Sequence, residues 1–234
     1  MHFCYASDYI WTYMRGIKVL FTLLLIFMAS SIARAQFNLK IAYNPIYGSF
    51  SGINAVQNAY ISDDGEVLDG FGDLHFMHGI QLGIRYRVGT FGVELGWESL
   101  AGDREALALN PNSEVFTTRE YDYDLRTWSL ALDQYFSPLG FGAAITRTNF
   151  SAGRVRGNNN IPLIDESKWG LRFHLNLTIQ ESSRVSLLLR PYYQFYFGDY
   201  NIERLATDLN NTAASRESLS YFGLSLVFYN GRHY

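Results

Sequence analysis

From Gln36 onward the chain alternates apolar and polar residues in stretches of about ten, the period of a strand with two unlike faces. In the first stretch Phe37, Leu39, Ile41 and Tyr43 share one face, and Asn38, Lys40, Ala42 and Asn44 share the other. In the second, Ile80, Leu82, Ile84, Tyr86 and Val88 oppose Gly79, Gln81, Gly83, Arg85 and Arg87. The third sets Phe91, Val93, Leu95 and Trp97 against Gly92, Glu94, Gly96 and Glu98. Between these two lies Gly89-Thr90, which predicts a two-residue hairpin. That turn pairs Val88 with Phe91, Arg85 with Glu94, Leu82 with Trp97 and Gln81 with Glu98. Both faces stay consistent in this register, and a slip of one residue would destroy both. The register predicts a cross-strand Arg85–Glu94 salt bridge on the polar face.

The fourth stretch holds Tyr121, Tyr123 and Leu125, then Trp128, Leu130 and Leu132. Its parity changes near Arg126-Thr127, which predicts a bulge. The fifth carries Phe141, Ala143 and Ile145. The sixth runs from Trp169 to Ile179, with Arg172, His174 and Asn176 on its polar face. The seventh carries Val185, Leu187, Leu189, Tyr193, Phe195 and Phe197, and Pro191 in its middle predicts a local bulge. The eighth carries Phe222, Leu224, Leu226 and Phe228. Long connections over 47–76, 101–120, 151–167 and 198–216 alternate with short ones at 89–90, 135–138 and 181–184. Strands of this length cross a bilayer at a tilt. Tight turns on one side and long loops on the other predict an all-β, eight-stranded antiparallel up-and-down transmembrane barrel, with the turns in the periplasm.

In a bilayer the apolar faces meet lipid. Trp97, Tyr121 and Trp169 would then stand at the outer interface, with Tyr86, Phe91 and Phe141 at the inner one. The polar faces would line the lumen, where Arg85, Arg87, Glu94, Glu98, Arg172, His174 and Arg190 form the expected salt-bridge network. An eight-strand barrel is just wide enough for its side chains. A closed polar core is therefore expected ahead of a narrow pore.

The ends complete this picture. Arg15 and Lys18 precede an apolar run from Val19 to Met28, and Ala33-Arg34-Ala35 fits a cleavage site, so residues 1–35 read as a signal peptide. The run is too short to span a membrane as a helix. Met14 is an alternative start, and the barrel domain is 36–234. Cys4, the one cysteine, lies in the removed segment, which excludes disulfides and thiolate metal sites from the barrel. The 234-residue chain has a net charge of −3. Because 1–35 carries three basic residues and one acid, the remainder carries −5. No basic run suggests nucleic-acid binding, and no cofactor or metal motif is expected.

The segment from Tyr221 to Phe228 resembles the C-terminal assembly signal of outer-membrane barrels, with Tyr221, Gly223, Leu226 and Phe228 at its characteristic places. The chain departs from that signal by continuing to Tyr234. The region from Gln36 resembles the small OmpA/OmpX-like barrels of Gram-negative bacteria. This resemblance implies an outer-membrane location, delivery by the barrel-assembly machinery and contact with lipopolysaccharide.

Candidate chemistry is sparse. His174 with Arg172 and Asn176 faintly resembles the His-x-Ser-Asn motif of lipid A deacylase barrels, but Asn176 stands where the nucleophile is needed. His75 and His78 lie near Asp73, yet strand spacing sends the two histidines to opposite faces. The acidic runs Asp63-Asp64-Gly65-Glu66 and Asp69–Asp73 lack EF-hand spacing and read as solvated loop. The first reading is a non-enzymatic barrel whose loops bind a surface protein, a host ligand or envelope components, with the first loop foremost. The alternatives are a lipid-modifying enzyme, a narrow pore, and a soluble lipocalin-like barrel with its apolar face inward.

Overall fold

The computed structural model describes residues 36–60, 66–110, 115–136, 138–157, 159–182 and 184–231. The expected signal segment 1–35, Cys4 and the Asp63-Asp64 pair lie outside these residues. The elements in chain order are β1 (Gln36–Gly48), α1 (Ser51–Asn58), β2 (Glu66–Asp69), β3 (Phe76–Val88), β4 (Phe91–Asn110), β5 (Val115–Phe136), β6 (Leu139–Arg156), β7 (Asn159–Glu181), β8 (Val185–Tyr196), β9 (Tyr200–Asn201), α2 (Glu203–Asp208), β10 (Arg216–Glu217) and β11 (Tyr221–Asn230). Strands β1, β3, β4, β5, β6, β7, β8 and β11 each pair with their neighbours, and the β1–β11 ladder closes the ring. Closure satisfies the backbone of every wall strand on both sides, which a wall immersed in lipid requires.

The Gly89-Thr90 hairpin has the register its sequence predicts: Val88 opposite Phe91, Arg85 opposite Glu94, Leu82 opposite Trp97 and Gln81 opposite Glu98. Gly89 takes φ +58°, the left-handed first position that a tight hairpin asks of glycine. At Pro191 no bulge forms. The pairings His174–Tyr192 and Leu177–Leu189 share one register across it, and only the rungs between them are missing. Proline has no N–H to donate, so the ladder skips a rung without inserting a residue. The register shift in this ladder falls between Thr178 and Gln180 instead.

The parity change in β5 is not a bulge either. Its pairings with β4 and β6 run unbroken from one end to the other. What changes is the environment. Along the lower part Trp128, Leu130 and Leu132 face outward, and Thr127, Ser129 and Asp133 are buried inside. Farther out Tyr121, Tyr123 and Leu125 are buried inside, while Asp122, Asp124 and Arg126 face outward. The same inversion occurs inside β1, from Asn44 to Ile46, inside β4, from Glu98 to Leu100, and inside β6, from Thr148 to Phe150. A wall in lipid is apolar outside, and the same wall in water is polar outside and needs an apolar interior. The inversion therefore marks the outer edge of the bilayer.

The described residues of 101–120 and 151–167 are accordingly mostly strand and not loose loop. Strands β4 to β7 contain 20, 22, 18 and 23 residues. About ten suffice to cross a membrane, so these hairpins rise well beyond it as a tower. The described residues of 47–76 and 198–216 also form regular elements. They contain α1 and β2, and β9, α2 and β10, respectively. The tower interior is one apolar cluster. Ile46, Met77, Leu100, Tyr123 and Phe150 from the wall meet Ile53 and Val56 of α1, Leu205 and Leu209 around α2, and Phe71 and Leu74 of the first connection.

Candidate functional site

Within the membrane portion the inward faces carry charges that alternation alone placed there. Glu94 accepts from Lys40 Nζ at 2.5 Å and from the Arg190 guanidinium at 2.9 and 3.2 Å, and the Tyr229 hydroxyl donates to it as well. Glu98 accepts from Arg172 at 2.5 Å, Asn44 at 2.5 Å and Tyr192 at 3.2 Å. Asp133 is 2.6 Å from His174 Nε2 and accepts from Asn176 at 2.9 Å. Arg190 Nε donates to Asn176 at 2.6 Å and ties the first and third groups together. Lys40, Arg172 and Arg190 thus stand among Glu94, Glu98 and Asp133, and Arg85 and Arg87 are buried in the same lumen. Such a set survives burial only when each charge is partnered.

Arg85 lies opposite Glu94 in the ladder, but the ion pairs of Glu94 go to Lys40 and Arg190. Arg85 instead donates to Asn38 at 2.9 Å and stacks 3.6 Å above the Tyr229 ring. Side chains directly opposite on an antiparallel pair lie side by side, whereas a narrow lumen brings residues from across the barrel end to end. Arg87 donates to the Gly89 carbonyl at 2.6 Å. Two partners in this network escaped the reading of the sequence as charges: Lys40 and Asp133. Both sit on polar faces, and the alternation was the signal. Glycines give the network room. A Cβ on Gly142 would come within 2.4 Å of His174 Nε2 and 2.5 Å of Asp133 Oδ1.

The outer mouth is stapled to the wall by polar bonds. Ile53 N–H at the start of α1 donates to Glu217 of β10 at 2.7 Å. Gln57 donates to the Tyr123 hydroxyl at 2.8 Å, and the Asn54 side chain brackets Leu74 through its N–H and carbonyl. At the end of α2, Asp208 accepts from the Tyr121 hydroxyl and from Arg154 at 3.3 Å, and its carbonyl accepts from Arg119 at 3.0 Å. Burial pushes the Glu217 carboxyl up to about 7, against the opposing effect of the donors at Ile53 and Gly52. Burial and neighbouring Asp208 push the Tyr121 hydroxyl well above its ordinary range.

Tyr121 corrects an expectation, because it is buried in the tower and does not stand at an interface. Trp128, Trp169, Phe91 and Phe141 face outward and are exposed, with Trp97 half-buried beside them. In the assembly-signal segment Tyr221 and Gly223 face inward and Leu226 and Phe228 outward. Gly223 is overlain by Tyr192, whose Cζ would lie 2.0 Å from a Cβ there. His75 stacks on Tyr47 and lies 3.4 Å from Asp73, while His78 faces outward between Tyr43 and Phe76. Among the described residues no group of three His, Cys, Asp or Glu converges as metal ligands would.

The outward belt decides the setting. Leu39 is 60% exposed and Leu130 52%, while Arg85 and Asn176 inside are 0% exposed. Water would reverse that order, and lipid requires it. The chain is a small membrane-spanning β-barrel. No protein-family model and no curated protein matches it. Solved structures similar to it include the following two. One is Neisserial surface protein A, at 11% identity and a TM-score of 0.46 over 84% of this chain and 98% of that one. The other is Ail, the attachment invasion locus protein of Yersinia pestis, at 10% identity and a TM-score of 0.42 over 83% and 96%.

Proposed function

We propose that this barrel is a non-enzymatic surface protein of an outer membrane that binds a protein partner through its tower, with its lumen a closed polar core. The observation that carries the reading is a three-stranded blade at the top of the tower. There β2 pairs with the end of β4, which in turn pairs with the start of β5. Among the described residues β2 has no second strand partner, and β5 meets β6 only from Glu120 onward, so both outer edges of the blade are open. Leu68 and Phe116 on it are 49% and 61% exposed. Open strand edges beside exposed apolar side chains are what partner chains add to. The buried, hydrogen-bonded ion network and the apolar cluster above it support a lumen without a continuous water path. Against an enzyme, His174 bonds to Asp133 within the lumen, and among the described residues no hydroxyl or thiol nucleophile is bonded to it.

The test is adhesion of bacteria displaying the protein to cultured cells and serum-coated surfaces. The doubly substituted Leu68→Ser, Phe116→Ser form should lose most of the binding, since central apolar anchors each carry about 2 kcal/mol or more. It should keep the altered gel mobility of an unboiled barrel. Purified protein in planar bilayers should give no conductance steps. Adhesion unchanged by the substitutions would overturn the blade as the binding surface, and stepwise conductance would overturn the closed core.

A further inference from the structure

The outward face at the bilayer edge is not uniform. Cross-strand pairing sets Trp97 beside Trp128, Trp128 beside Arg147 and Arg147 beside Trp169. The Arg147 guanidinium lies over the Trp169 ring, 5.9 Å from its centre. One step farther out along β5 stands Arg126, paired with Ser99 and Asn149. Both arginines are exposed, and neither has an ion pair or hydrogen bond among the described residues. This is unlike the lumen, where Arg172 and Arg190 are each paired with a carboxylate.

The geometry points to a binding site for the phosphate of an outer-leaflet lipid, formed by Arg126 and Arg147 above the tryptophan row. Depth is the first argument. The inversion of faces puts these arginines where hydrocarbon gives way to headgroups, the level that tryptophans also prefer. Chemistry is the second. A guanidinium fork matches phosphate oxygens, and its stem can lie along apolar wall while its head reaches the interface. Direction of approach is the third. Asp124 and Asp122 face outward one and two steps farther from the bilayer. A free phosphate arriving from water meets these carboxylates first, while a lipid phosphate arrives from below and does not. The site lies on the outside of β5 and β6 and is separate from the blade.

Three of the four tryptophans of the chain stand in this row, so its emission reports on the site. The folded protein in a sugar-headgroup detergent is titrated with phosphatidic acid brominated in its acyl chains, and with the matching brominated diacylglycerol. Phosphatidic acid should quench the emission at lower concentration. Arg126→Gln and Arg147→Gln should each weaken that preference about fivefold, the effect of one interfacial charge. Arg126→Lys and Arg147→Lys should restore most of it. Gel mobility confirms that each variant is folded. Equal quenching by the two lipids, a double Gln variant with undiminished preference, or displacement of the lipid by millimolar inorganic phosphate would each overturn the assignment.

Discussion

Glu217 shows how one buried carboxylate can govern a surface element. It sits on the two-residue strand β10 and receives the first free N–H groups of α1, which a helix start leaves without partners. Its carboxyl is held near 7 by burial, above the ordinary 4.5. Between those values the folded form holds a proton that the unfolded form has lost. Attachment of α1 is therefore firmest at low pH and weakens as pH rises toward about 7. Hydrogen exchange at the Ile53 amide, corrected for its intrinsic rate, should show protection falling over that window. Glu217→Gln should flatten the profile, and an unchanged slope in that variant would assign the dependence to another group. At the same scale, the lumen shows what alternation can and cannot tell. That Arg85, Glu94 and Arg190 face inward is legible from period two. Which of them touch is not, because Lys40 and Arg190 reach Glu94 from strands far apart in sequence.

Among the elements, the tall hairpins separate two stability problems. Below the bilayer edge, β4 and β5 are held by lipid outside and ions inside. Above it they are held by an apolar core and by bonds such as Arg119 to the Asp208 carbonyl. Replacing Ala106–Arg119 with Asn-Gly, where Glu105 faces Glu120, removes the blade and leaves the membrane part intact. The trimmed protein should keep its gel shift while proteases cut the segments around α2 and the first connection more readily. Loss of the shift would mean that the tower supports the barrel and not merely the reverse. The Gly89-Thr90 hairpin was legible because its turn and both its faces lie in one environment. The tower was not, because its strands obey the opposite rule. Tyr121 and Phe150 are apolar and inside, so a pattern read as lipid-facing changes meaning partway along a single strand.

For the whole molecule, the closing contact joins the two ends of the described chain. Lys40 lies opposite Tyr229, the Asn38 amide donates to the Asn230 carbonyl, and Ser186 Oγ donates to the Gly231 carbonyl. A permuted chain that joins Gly231 to Gln36 and opens at the Phe136–Leu139 turn keeps all eight ladders. It should refold in detergent with the mobility of the parent. In cells it should fail to assemble if the Tyr221–Phe228 segment must stand at the C-terminus, and normal assembly would remove that segment from the role.

The closed ring also sets an order in time. Hairpins form between neighbours as soon as both strands are available, but the β1–β11 seam needs the first strand and the last. No growing chain can complete it before β11 has been made. Until then β1 presents one unsatisfied edge and an apolar face to whatever surrounds it. Of the ring's eight strands, β11 is made last, and it is the one that shuts the door.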